Sequence, residues 1–217
     1  MTFHEEAITA GCKRALAYLA RLDFMSDYYL AGGTALALQL GHRISTDLDF
    51  FSTKRLLHYR EREQIVRKLR ESGEFEIVSE EDGLLFTRLF ETDVSWLYQQ
   101  HPLLQPTATY NSIELASPTD IGLMKLAAVN SRGTRRDFVD LYCLREVVSL
   151  EALLELVPKK YTDRPDFLAI AVKALAYFED AEQQPMPEML HPVTWKEVRA
   201  YCERAAASLA RKLSGLA

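Results

Sequence analysis

Apolar residues recur along the chain with two periods, and the switches between them lay out its elements. Ile8, Cys12, Leu16, Leu19 and Leu22 fall at three- and four-residue intervals, the stripe of one helix face. Thr2 and Glu5 ahead of them have capping-box spacing, so a helix is predicted over 2–22. Residues 28–31 form a short β-prone run that ends in Gly32-Gly33, and 34–40 suit a short helix stopped by Gly41. The pattern then turns to alternation over 47–51, a strand, and back to helical spacing over 54–72, where Gly73 is the stop. Strands are predicted over 75–78, 84–90 and 94–98, with an acidic turn ending in Gly83 between the first two, and a short one over 112–115. From Ser117 onward the pattern is helical. Ser117-Pro118-Thr119-Asp120 and Thr134 with Asp137 each open a helix, a third starts near Pro165, and Thr194 with Glu197 opens a last one running to the C-terminus. The prediction is an α+β fold: a mixed sheet with flanking helices over 1–116, then a helical domain over 117–217 that packs on the core and completes a cleft.

Composition narrows the classes. With 217 residues, 48% of them hydrophobic, the chain has ample material for a sizeable core. A net charge of −5 argues against a broadly basic nucleic-acid coat, though a local basic patch suffices to hold a polyanion. Cys12, Cys143 and Cys202 are far apart, odd in number and form no C-x-x-C pair, so neither a disulfide framework nor a zinc site is expected. His4, His58, His101 and His191 are scattered without metal-ligand spacing. The start of the chain is acidic and no apolar run is long enough to span a bilayer; the expectation is a cytoplasmic protein with no membrane partner.

The chemistry concentrates between Gly32 and Asp49. Successive side chains of a strand point to opposite faces, so Asp47 and Asp49 project the same way while Leu48 and Phe50 face the core. Two carboxylates on one face repel each other unless a cation lies between them. Mg2+ meets that demand, since it binds through one or two carboxylates plus substrate phosphates. Gly32 and Gly33 let the backbone approach a phosphate closely, and a helix starting at Thr34 points its free N–H groups at the anion. A Gly-Gly before a helix, or an Asp-x-Asp on a strand, is weak taken singly; the two in this order are specific.

Residues 30–51, from Leu-Ala-Gly-Gly-Thr to Asp-Leu-Asp-Phe-Phe, resemble the signature of the AbiEii/AbiGii toxin family of DNA polymerase β-like nucleotidyltransferases. Residues 117–125, 131–142 and 177–182 are further blocks similar to that family. The resemblance implies a nucleotidyltransferase core followed by a helical lobe. It also implies an enzyme that moves a nucleotide from an NTP to an acceptor such as the 3′ end of tRNA, as the toxin of a type IV toxin–antitoxin pair with a role in phage defence. The family's Gly-Ser pair maps to Gly32-Gly33, with Gly33 in place of the more usual serine, and its Asp-x-Asp maps to Asp47 and Asp49. Its lysine maps to Lys125 and its later aspartate to Asp137 or Asp140. A third carboxylate is usual on a later strand; Ser95 stands at that position here, with Asp93 two residues earlier on the same face.

The expected site is therefore Asp47 and Asp49 as Mg2+ ligands, Gly32, Gly33, Thr34, Arg43 and Lys125 on the NTP, and Lys125, Asp137 and Asp140 with the two aspartates in catalysis. By spacing alone Lys125 reads as a lysine at the edge of an apolar stripe, and it is the resemblance that favours the phosphate role. Asp137 reads also as a helix cap for Thr134, and Asp140 as a partner of Arg136 at four-residue spacing. Expected partners are an NTP, an RNA acceptor and an antitoxin encoded nearby. A small-molecule acceptor, as in antibiotic-modifying nucleotidyltransferases, and a non-catalytic nucleotide-binding or protein-interaction module are the alternatives, the latter favoured by Ser95 and Gly33.

Overall fold

A computed structural model describes residues 2–213, and the chain divides into two compact units between Ser117 and Pro118. The first is built on a seven-stranded mixed sheet. Its strands are β1 (Tyr29–Ala31), β2 (Asp47–Ser52), β3 (Phe75–Glu81), β4 (Leu84–Leu89), β5 (Thr92–Tyr98), β6 (Ala108–Tyr110) and β7 (Ile113–Leu115), in the order β3-β4-β5-β2-β1-β7-β6. β2 lies at the centre, antiparallel to β1 and parallel to β5, while β1 runs parallel to β7. Among the described residues its α-helices are α1 (Ala10–Leu19), α2 (Gly32–Leu40) and α3 (Tyr59–Arg70).

The predicted alternation of β2 is realised. Leu48, Phe50 and Ser52 are buried and Asp47, Asp49 and Phe51 half-buried. Phe50 stacks on Trp96 of β5 with ring centres 5.1 Å apart, and Tyr28 meets the same indole edge-on at 5.3 Å. The Trp96 Nε1–H donates to Thr87 Oγ1 at 3.3 Å, so the largest side chain of the core buries no unpaired donor. This aromatic layer fixes the register of β2 against β5, because a one-residue slip would turn Phe50 out and Asp49 in.

Two helices are shorter than their apolar patterns. Residues 2–22 divide into a 3-10 turn (Glu5–Ala7), an extended Ile8, and α1, whose cap is Thr9 accepting from the Cys12 N–H. Tertiary hydrogen bonds override the helical period there: the His4 N–H donates to the Leu38 C=O, the Ser45 N–H to the Ala7 C=O, and Ile8 bridges Ser45. α3 starts only at Tyr59, with a His58–Glu61 capping box, because Ser52 Oγ accepts the N–H groups of Lys54 and Arg55 and holds a turn after β2.

The second unit is helical: α4 (Pro118–Ser131), α5 (Arg135–Leu144), α6 (Leu150–Lys160), α7 (Phe167–Ala174), α8 (Glu179–Glu182) and α9 (Trp195–Leu213). α4 packs against α5, α6 and α7, and α9 against α5 and α7. Thr134 caps α5 through the Asp137 N–H, and Thr194 and Glu197 cap α9 reciprocally, as their spacing predicts. The last helix is described to Leu213, and residues 214–217 lie outside the described residues. α6 is an addition to the predicted elements; Ser149 caps it, and Pro158 in its last turn gives up one helical hydrogen bond.

Candidate active site

The site grows from the turn between β1 and α2. β1 is buried along its length and pairs Ala31 with Asp49, so the first turn of α2 starts beside the upstream end of β2. Gly32 makes the reversal with φ +66°, where a side chain is strained, and a Cβ on it would stand 2.4 Å from Asp49 Oδ2. A Cβ on Gly33 would stand 2.3 Å from Arg43 Nη2. The Thr34 hydroxyl donates to the backbone carbonyl of Asp47 and ties helix to strand. The N-cap of α2 is Ala31, whose side chain cannot accept a hydrogen bond, so the leading N–H groups of the helix are not capped from that position. Gly41 ends the helix at φ +62°, as predicted.

The loop that returns to β2 supplies the remaining polar groups. Arg43 is 3% exposed, and its Nη1 donates to the Ile44 C=O at 3.0 Å and to Ser45 Oγ at 3.4 Å. Ser45 Oγ in turn donates to Asp47 Oδ1 at 3.4 Å. On the other side, β5 sets Asp93 beside Asp47 and Ser95 beside Asp49. The Asp93 carboxylate accepts from Arg88 Nε at 2.8 Å and is thereby engaged on the surface. Ser95 is thus the β5 side chain in register with Asp49.

Among the described residues no group of three or more His, Cys, Asp or Glu side chains could hold a metal ion. The pair on β2 nevertheless fits Mg2+, whose coordination is completed by water and substrate phosphate rather than by a protein cage. The glycine geometry agrees: Asp49 Oδ2 lies so close to Gly32 that an anion seated on the α2 N-terminus and a cation seated on Asp49 would adjoin.

A second polar constellation lies within the helical unit. Lys125 Nζ of α4 reaches Asp137 Oδ1 at 2.8 Å and Asp140 Oδ2 at 2.6 Å, both on α5, and all three side chains are buried. Arg132 Nε and Thr134 Oγ1 add bonds to Asp137 Oδ2 at 3.1 and 2.6 Å. Burial alone would push the Asp137 carboxyl up, but the charges of Lys125 and Arg132 outweigh it and hold the group down at about 2. The structure thus brings together Lys125, Asp137 and Asp140 as a set. Arg135, by contrast, lies over the Trp195 ring at 4.7 Å and bonds the carbonyls of Ala181 and Glu182. Sequence reasoning misses the pair Lys160–Asp120, 2.9 Å apart and fully buried. Asp120 reads as a helix-start residue, and Lys160 ends the helix that the prediction lacks. The apolar spacing of Leu150, Leu153, Leu154 and Val157 behind Ser149 is the available signal.

Comparison with known proteins bears on the chain as a whole. The profile of the nucleotidyl transferase AbiEii toxin family, of type IV toxin–antitoxin systems, matches residues 14–213. An uncharacterised protein of Aquifex aeolicus is 36% identical over 198 residues, 88% of this chain and 92% of its own. Among solved structures, the nucleotidyltransferase toxin MenT4 of Mycobacterium tuberculosis superimposes with a TM-score of 0.59 at 19% identity, covering 91% of this chain and 82% of that one. The antibiotic-resistance factor ANT(2'')-Ia superimposes with a TM-score of 0.54 at 12% identity, over 72% of this chain and 94% of that one. The two structural likenesses speak for the fold. The family match spans both units and includes every residue of the two constellations, and the chain belongs to the AbiEii nucleotidyl transferase toxin family.

Proposed function

We propose that this nucleotidyltransferase is magnesium-dependent and moves a nucleoside monophosphate from an NTP to a hydroxyl of an RNA acceptor, tRNA, as the toxin of a type IV pair. The observation that carries the reading is the placement of Asp47 and Asp49 on one face of β2, against the N-terminus of α2 that no side chain at its N-cap closes. Asp47 and Asp49 would hold the ion, whose chemistry there is to activate the acceptor hydroxyl and neutralise the triphosphate. Gly32 and Gly33 let Asp49 and Arg43 close on the first turn of α2, and the leading N–H groups of that helix bind the phosphates. Thr34 holds helix and strand in register through the Asp47 carbonyl. Arg43 adds positive charge from beneath. In the helical unit Asp137 and Asp140 hold the ammonium of Lys125, and a part for these three in the reaction rests on the family. Catalysis on this reading is positioning and charge stabilisation. The RNA acceptor, the antitoxin partner and the role in phage defence rest on the family.

Label transfer tests the proposal. The protein is incubated with each α-labelled NTP in turn, Mg2+ and total tRNA, beside Asp47→Asn and Asp49→Asn. Label on tRNA from the wild type, reduced by about a thousandfold or more in both variants, is the expected result. Folded protein that binds NTP but labels no tRNA would overturn the acceptor, and equal transfer by the two variants would overturn the site.

A further inference from the structure

Gly33 has no conformational need to be glycine. Its φ is not positive and it lies in the first turn of α2, where glycine weakens a helix relative to alanine. What excludes a side chain is space. The Cβ of any other residue would meet Arg43 Nη2 at 2.3 Å, Ser45 Oγ at 3.1 Å and Arg43 Cζ at 3.3 Å. The first of these is shorter than any real contact, and the obstacle is a guanidinium held in place on the Ile44 carbonyl and Ser45 Oγ.

The N-terminus of a helix carries partial positive charge, so a cation beside it opposes the helix dipole. Arg43 is desolvated as well, which strengthens its field over short distances. The cation and the helix end act together on any anion at that turn, and the carboxylates of Asp47 and Asp49 stand beside it. Ser45 Oγ, within 3.4 Å of both Arg43 Nη1 and Asp47 Oδ1, couples this charge to the carboxylate on β2.

We propose that Arg43 is a positioning residue of the phosphate cradle, and that glycine at 33 is the space it requires: the buried guanidinium stands where a side chain at 33 would stand and backs the α2 N-terminus with a fixed positive charge for the triphosphate. The inference rests on the nucleotidyl-transfer reading and deepens it. Positions 33 and 43 are then one unit, and a side chain is accepted at 33 only when 43 is made small.

A double-substitution cycle tests both halves. Wild type, Gly33→Ser, Arg43→Ala and the double variant are compared by melting temperature without nucleotide and by equilibrium binding of each of the four NTPs with Mg2+. Steady-state transfer is measured on the variants that bind. Gly33→Ser is expected to lower the melting temperature clearly when Arg43 is present and little in the Arg43→Ala background. Arg43→Ala is expected to weaken NTP binding and raise KM about tenfold, with kcat changed less than about threefold, and Arg43→Lys to recover part of the binding. A purely structural arginine would not separate KM from kcat in this way. Equal melting penalties for Gly33→Ser in both backgrounds would overturn the steric half, and unchanged NTP affinity in Arg43→Ala would overturn the charge half. If the wild type binds none of the four NTPs, the functional reading fails and the charge role with it, while the nucleotide-free cycle still decides whether Arg43 is what keeps position 33 a glycine.

Discussion

At the scale of single residues, two adjacent glycines answer different demands. Gly32 is needed for its backbone, at φ +66°, and for its closeness to Asp49; Gly33 is needed for the volume that Arg43 fills. The first demand leads to a separate prediction. Gly32→Ala places a methyl 2.4 Å from Asp49 Oδ2 and adds left-handed strain of about 1 kcal/mol. The carboxylate is the far end of a side chain and can swing aside, so the fold should survive with a melting temperature a few degrees lower, on the order of 2–4 °C. The chemistry should not survive so well, because a displacement of about 1 Å at a reacting group costs on the order of a hundredfold in rate. Folded Gly32→Ala protein that transfers nucleotide at the wild-type rate would show that Asp49 is not held where the reaction needs it.

At the scale of elements, the caps are where sequence and structure can be compared most directly. Thr9 caps α1 by accepting from the Cys12 N–H at 3.2 Å, and it is remote in role from the phosphate cradle. Thr9→Ala should therefore lower stability by about 1 kcal/mol while leaving kcat at 25 °C unchanged, which thermal melts and label transfer on the same sample would check. A fall in kcat without a fall in melting temperature would contradict it. The sequence points to Thr2 rather than Thr9 as the cap, because the spacing of Thr2 to Glu5 is the local signal. What local spacing cannot contain is the run of hydrogen bonds that draws residues 4–8 onto Leu38 and Ser45. The same limit explains the rest. The glycine pair, the Asp-x-Asp strand and the caps of α5 and α9 are legible because each is a pattern within a few residues. The Lys125 set is legible only in part, since spacing offers Arg136 as an equally good partner for Asp140. The Lys160–Asp120 pair and the contact of Arg43 on Gly33 are not, because 40 residues separate one pair and a helix and its return loop separate the other. Pro158 hides α6, although a proline in a last turn costs only one hydrogen bond.

At the scale of the whole molecule, buried charge is unevenly shared. The helical unit buries Asp120, Lys125, Asp137, Asp140 and Lys160, whereas the sheet unit buries Arg43 and Arg62 and leaves its aspartates half-buried or exposed. Buried ion pairs contribute stability only while both partners are ionised, and breaking one leaves a costly buried charge. Asp137 gives the sign of the resulting pH dependence. Its folded pKa of about 2 lies below the unfolded carboxyl value of about 3.9. The stabilisation is therefore complete above the unfolded value and is lost as pH falls towards the folded one. Its full size is on the order of 2 kcal/mol, of which roughly half is gone by pH 3. Hydrogen exchange, expressed as protection factors to remove the intrinsic pH effect, should find the amides of α4 and α5 less protected at pH 3 than at pH 7, by about fivefold. The amides of β2 and β5, where the Phe50–Trp96 stack lies, should change less. Equal loss of protection in both units would mean that acid acts through the surface charges common to the whole chain and that the Lys125 set is not what ties α4 to α5. Loss confined to α4 and α5 would mean that the constellation carried into the proposed reaction is also the acid-sensitive joint of its own unit.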